Sequence, residues 1–163
     1  MKYKNIINLE RKSKDEVVNI LFESYQHQDT LYILPKDCSN LFFSHSKNFE
    51  YIGNWDTSNV TDMHSMFCKS NFNGDISNWD VSNVEYMSFM FEGSKFNSDI
   101  SKWNISHVKN MNYMFCDSEF NEDIGNWDTS KVIDIRGIFK HSLFNRDISN
   151  WDTSKVKYMN NIF

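Results

Sequence analysis

The chain has 163 residues, which fits one domain, and it contains no alanine but 14 Phe, 7 Tyr and 5 Trp. Its formal charge of −5 is spread along the sequence. No Lys/Arg block is present to neutralise a row of phosphates, which disfavours a nucleic-acid role. No segment is apolar over the length needed to cross a bilayer. The opening MKYKNIINLERKSKDEVV meets charge too early for a secretory signal, so a cytoplasmic location is expected. Cys38, Cys68 and Cys116 are an odd count without metal-ligand spacing. They read as reduced thiols in a reducing compartment.

The first recognisable element is a helix. Ser13, Lys14, Asp15 and Glu16 form an S-x-x-E capping box, and Val17, Val18, Ile20, Leu21 and Tyr25 follow on one face. This predicts a helix over about residues 14–27. Leu31, Tyr32, Ile33 and Leu34 then read as a strand ending at Pro35. Phe42, Phe43 and Ser46 stand 24 residues before Met66, Phe67 and Ser70, so residues 30–54 read as a degenerate first coil. Residues 1–54 together are expected to cap the open end of a stack; a dedicated effector segment is the other reading.

From Trp55 onward the sequence repeats. Trp55, Trp79, Trp103, Trp127 and Trp151 are 24 residues apart without insertion, giving four full units and a half unit over residues 55–163. Val60, Met63, Met66, Phe67, Phe72 and Ile76 head further columns that stay apolar in later units. Burying some seven large groups per unit contributes roughly 10–20 kcal/mol. Ordering 24 backbones costs on the order of 24–48 kcal/mol, so a unit needs neighbours on both faces. Val60, Met63, Met66 and Phe67 are spaced helically, with Ser58 placed to cap and Ser82 and Glu85 placed as a capping box. Each SxVxxMxxMF is therefore expected to form a short α or 3₁₀ helix, and each FNGDISNW a short strand between turns. The recurring Asn73 and Asp75 columns are read as Asx-type turns and ladders between coils in preference to calcium sites. The Asp56 column, with Asn104 breaking it, reads the same way.

The pattern W-D-[TV]-S-N-V-x-x-M-x-x-M-F followed by F-N-x-D-I-S resembles the short repeats of mycoplasma surface proteins, grouped with BspA-like leucine-rich repeats. The resemblance covers about residues 52–163, with Asn104, Gly125 and Ile135 as mild departures. It implies a leucine-rich-repeat-like solenoid and a role in adhesion or protein binding, and would allow a cell-surface location.

No Ser/His/Asp or Cys/His constellation and no Gly-rich phosphate loop suggests catalysis, and no cofactor or metal is expected. Recognition is expected in the variable outward columns. On a helical wheel, Tyr86, Phe89 and Tyr113 form one exposed aromatic patch flanked by Lys109, with Tyr158 in the Tyr86 column. The competing reading tucks these rings between coils. The function expected is a non-enzymatic protein-binding solenoid, an inhibitor or adaptor that covers a partner's surface. The alternative is a surface adhesion or structural array element, with carbohydrate binding a weaker one. The last coil, ending at Phe163, exposes apolar groups and unpaired edges. It is expected either to be covered by a second chain, as a homodimer, or to mark a truncated sequence.

Overall fold

A computed structural model describes residues 3–23, 29–46, 52 and 55–163. Four regular elements occur in them: β1 (Asn5–Asn8), α1 (Lys14–Glu23), β2 (Thr30–Ile33) and β3 (Trp55–Asp56). The strands form one parallel sheet in the order β1-β2-β3. α1 starts where its capping box places it. The Ser13 N–H donates to Glu16 Oε2 at 2.9 Å and the Glu16 N–H donates to Ser13 Oγ at 3.3 Å. Its inward residues Val17 and Leu21 are buried, and Phe22 meets Phe42 edge-on at 5.9 Å. The expected extension through residues 24–27 lies outside the described residues. No sequence pattern marks β1: only Ile6 and Ile7 are apolar there, too little for any periodicity to show.

Beyond β3 at their start, the repeats contain neither the helix nor the strand expected of them. The segment expected to be helical is a ribbon of overlapping turns. Met66, Cys68 and Ser70 donate their N–H to the carbonyls of Met63, Ser65 and Phe67, three residues back. The intervening Met63, Ser65, Phe67 and Lys69 donate to Tyr86, Ser88, Met90 and Glu92 of the next coil, at 2.7–2.9 Å. Ser65 and Lys69 have φ of 52° and 56°, and their counterparts in later coils are also left-handed, as the third residue of a type II turn requires. Spacing explains the outcome. Adjacent coils lie 5.8 Å apart at the Phe67–Phe91 rings, whereas helices pack at about 8–10 Å. A helix in each coil would not fit, and it would consume internally the N–H groups that join the coils.

The expected strand is likewise replaced. Phe72, Gly74 and Ile76 face inward while Asn71, Asn73 and Asp75 face out, a strand-like alternation. The link between coils here is nevertheless a side-chain ladder. Asn97 N–H donates to Asn73 Oδ1, Asn121 N–H to Asn97 Oδ1 and Asn145 N–H to Asn121 Oδ1, at 2.8–3.0 Å. Asp56, Asp62 and Asp75 each accept from the backbone N–H two residues on, so the aspartate columns are Asx turns.

Rings fill the interior. Phe67, Phe91, Phe115 and Phe139 are fully or almost fully buried and stack at 5.8–5.9 Å with planes within 8° of parallel. Trp103, Trp127 and Trp151 donate their indole N–H to Ile76, Ile100 and Ile124 carbonyls 27 residues earlier, at 3.0–3.2 Å. On the last coil the Met63 and Phe67 columns are open, with Met159 51% and Phe163 70% exposed, while Trp151 stays buried.

The first coil departs from the expected register. Cys38, Asn40, Phe42 and Ser44 donate to Asp62, His64, Met66 and Cys68, and left-handed Asn40 and Ser44 match Ser65 and Lys69. The offset is therefore 25 residues, not 24. Phe42 stacks on Phe67 at 5.5 Å while Phe43 is 45% exposed. β2 pairs with β3 at an offset of 23, Tyr32 with Trp55. The register thus shifts by two across Pro35, where this coil is shorter. Its outward carbonyl at Ser39 is met by Lys14 Nζ at 2.6 Å.

Phe115 packs between two rings of its own column, so Phe115→Ala is expected to cost about 3–5 kcal/mol, read as a lowered urea midpoint. Acid should act through the Asx turns. Hydrogen bonds from the serine two residues on hold Asp75, Asp99, Asp128, Asp147 and Asp152 below the ordinary aspartate value. The backbone N–H is the main cause at Asp75, Asp99 and Asp147, and the serine side chain at Asp128 and Asp152. The folded values are depressed, so the stabilisation is complete above the unfolded value of about 3.9 and disappears as pH falls through the folded ones. The urea midpoint should drop steeply below about pH 4; a midpoint unchanged at about pH 3 would contradict this.

Candidate binding face

The outward surface of the turn ribbon carries the aromatic residues singled out above. Its geometry follows from the backbone rather than from a helical wheel. Phe89 and Tyr113 occupy the left-handed column, with φ of 57° and 54°; the same column holds Ser65, Gly137 and Asn161. A bulky residue in this conformation costs about 1–2 kcal/mol, so two adjacent coils place rings where the backbone favours Gly or Asn.

The rings are half-buried and lie along the stack, so they do not point straight into solvent. Phe89 stacks on Tyr113 with centroids 5.1 Å apart and planes 12° from parallel. His64 meets Phe89 edge-on at 5.6 Å, and its Nδ1 lies 2.7 Å from Ser88 Oγ. Tyr113 in turn covers Gly137: a Cβ on that glycine would sit 2.3 Å from the Tyr113 ring.

The row continues through residues the sequence pattern did not single out. Arg136 grips Asp134 with two nitrogens, Nη2 to Oδ2 at 2.6 Å and Nε to Oδ1 at 3.0 Å. Its guanidinium lies over the Tyr158 ring at 5.1 Å. The Asp134 side chain is only 8% exposed. Burial pushes its pKa up, but hydrogen bonds from Arg136 and from Asn112 at 2.9 Å more than offset this and hold it below the ordinary value. No periodic signal marks Arg136, because Asp134 and Arg136 interrupt columns that hold uncharged or unrelated residues in neighbouring coils. The signal available was their spacing of two beside the lone glycine of the ring column.

Phe89 and Tyr113 are thus in contact, and Tyr158 joins the row through Arg136. Tyr86 is 43% exposed in the bridge column between Asp62 and Asn110. Lys109 is exposed, but its ammonium is held by Glu85 at 2.7 Å, beside Tyr86 and away from the stacked rings. The Lys109 hydrogen bond, with a lesser one from Tyr86, keeps Glu85 below the ordinary glutamate value. Cys38, Cys68 and Cys116 are free and buried, with burial as the main cause pushing each thiol up to about 12. Among the described residues no cluster of His, Cys, Asp or Glu could hold a metal, and no helix is long and apolar enough to cross a membrane.

Units of one 24-residue pattern, joined coil to coil by backbone hydrogen bonds, define a repeat protein. The chain belongs to the family described as Mycoplasma protein of unknown function, DUF285, whose model matches residues 36–142 and 116–163. Neither the curated proteins nor the solved structures contain a match to it.

Gly137→Ala forces the Tyr113 ring to move and places a side chain at φ 56°. A stability loss of at least about 1 kcal/mol is expected, with changed tyrosine packing in near-UV circular dichroism. An unaltered spectrum and urea midpoint would mean that Tyr113 does not rest on Gly137.

Proposed function

We propose that the chain is a non-enzymatic protein-binding solenoid of the leucine-rich-repeat kind, BspA-like in its repeat, acting as an inhibitor or adaptor. It covers a partner's surface with its turn ribbon. One observation carries this reading: two adjacent coils tolerate left-handed backbone at bulky residues, Phe89 and Tyr113, and set those rings half-open on the outer face. Strain retained at an exposed position points to use, and aromatic side chains supply binding energy at protein interfaces at low entropic cost. The buried, unpaired thiols support a reducing, cytoplasmic setting.

The stacking disfavours the carbohydrate reading. A sugar needs an open ring face, and Phe89, Tyr113 and Gly137 cover one another. The alternative role in a surface array draws on the resemblance to mycoplasma surface repeats.

Phe89→Asn suits the left-handed backbone and should leave the urea midpoint within about 1 kcal/mol of wild type. Affinity capture from the native organism should recover one stoichiometric partner with the wild-type chain, and binding should fall at least tenfold with Phe89→Asn, measured on the isolated pair. Undiminished binding by this variant would exclude the row as the contact. Assembly of the purified chain into arrays, without a partner, would favour the adhesive role.

A further inference from the structure

Lysines and arginines that are scattered in sequence are gathered by the stacking. The ribbon segments at residues 59–69 and 83–93 contain three carboxylates, Asp62, Glu85 and Glu92, against the single cation Lys69. The equivalent segments at 107–117, 131–141 and 155–163 contain Lys109, Lys131, Arg136, Lys140, Lys155 and Lys157 against the two carboxylates Asp117 and Asp134. One face thus runs from −2 over two coils to +4 over the next three, on a chain whose total is −5. Lys131, Lys140, Lys155 and Lys157 have no ion-pair partner among the described residues. Lys131, Lys155 and Lys157 are exposed, and Lys157 is next in sequence to exposed Tyr158.

We propose that this half of the ribbon face binds a short carboxylate-rich polypeptide segment of a partner protein. The inference rests on the protein-binding reading above and names the chemistry of the partner. Charge sets the sign of the ligand: like-charged cations held one coil apart repel each other until an anion lies between them. Ring orientation selects carboxylates over nucleic acid. Bases bind single-strand sites by stacking on open aromatic faces, whereas Tyr113 lies against Phe89 and Gly137, and Tyr158 offers one face to Arg136. What these rings leave outward is their edges, which carry partial positive charge and attract acceptor oxygens. The acidic coils next door repel a long polyanion that runs on along the face, and so favour a short one. Three coils span roughly 12 Å at about one ring spacing per step, which about four extended residues cover.

The probe is a fluorescein-labelled peptide of six glutamates, titrated with the full chain and followed by anisotropy at about 100 mM salt, where exposed charges still act over about 10 Å. Saturable binding is expected, weakened at least tenfold by the double variant Lys131→Met/Lys155→Met. Both side chains are exposed, and an unchanged urea midpoint confirms that the variant is folded. Lys102→Met, which removes an exposed lysine outside the ribbon segments, should leave peptide affinity within twofold. Absence of binding by wild type, or equal binding by the folded double variant, overturns the proposal. So does tighter binding of a twelve-residue oligothymidine or of phosphatidylserine vesicles than of the peptide. If a captured partner is still lost with Phe89→Asn while the peptide fails to bind, the binder reading stands and the acidic-partner inference falls.

Discussion

Through the centre of the ribbon, the amide donors that join one coil to the next all point one way. In a parallel sheet a strand offers donors and acceptors to both neighbours. Here Met63, Ser65, Phe67 and Lys69 give their N–H to the carbonyls of Tyr86, Ser88, Met90 and Glu92 in the following coil. Only at the ribbon's ends do amides such as Glu85 and Lys95 donate back, to Thr61 and Ser70. The alternate amides close their own turns, so none is left for an α-helix. This arrangement demands a left-handed residue every fourth position, holds coils at about β spacing, and leaves an acceptor edge at the start of the stack. Lys14 meets that edge at Ser39, a cation on the negative end of aligned dipoles.

The buried columns answer to the same spacing. At 5.8–5.9 Å, the flat rings of Phe67, Phe91, Phe115 and Phe139 fill the interval between coils. Each contributes about 1.5–3 kcal/mol from burial and up to about 1.5 more for each stacked pair. On the opposite side, where the backbone makes no ladder, asparagine carbonyls and indole N–H groups supply the links. The polar columns that suggest cation ligands are thus consumed by the backbone.

Recognition is left to the few outward columns that vary, and stacking gives them their character. Residues 24 apart in sequence become neighbours, so Phe89 and Tyr113 form a step. A lysine here and there becomes a cationic field beside an acidic one. The chain as a whole is acidic, and its sequence holds no basic block, because the block exists only across coils. Left-handed backbone under Phe89 and Tyr113 marks the same face by a different route: the fold bears strain at these two rings, whereas Gly137 and Asn161 relieve it in the next two coils.

By itself the sequence determined the period, the inward columns, the capping box of α1, the Asx turns and the asparagine ladder, because each depends on residue type at a fixed spacing. It also marked Phe89 and Tyr113 as variable aromatic positions in one column. Tertiary structure alone decided that the ribbon is turned rather than helical. Inward spacings of three, three and one suit either geometry, and only the distance to the next coil separates them. It likewise decided the register of 25 at Phe42, since the two-residue deficit near Pro35 lies in a stretch without repeat columns. Arg136 over Tyr158 and the cationic field belong to the same class: they arise from contacts between coils, and a sequence read along one coil does not contain them.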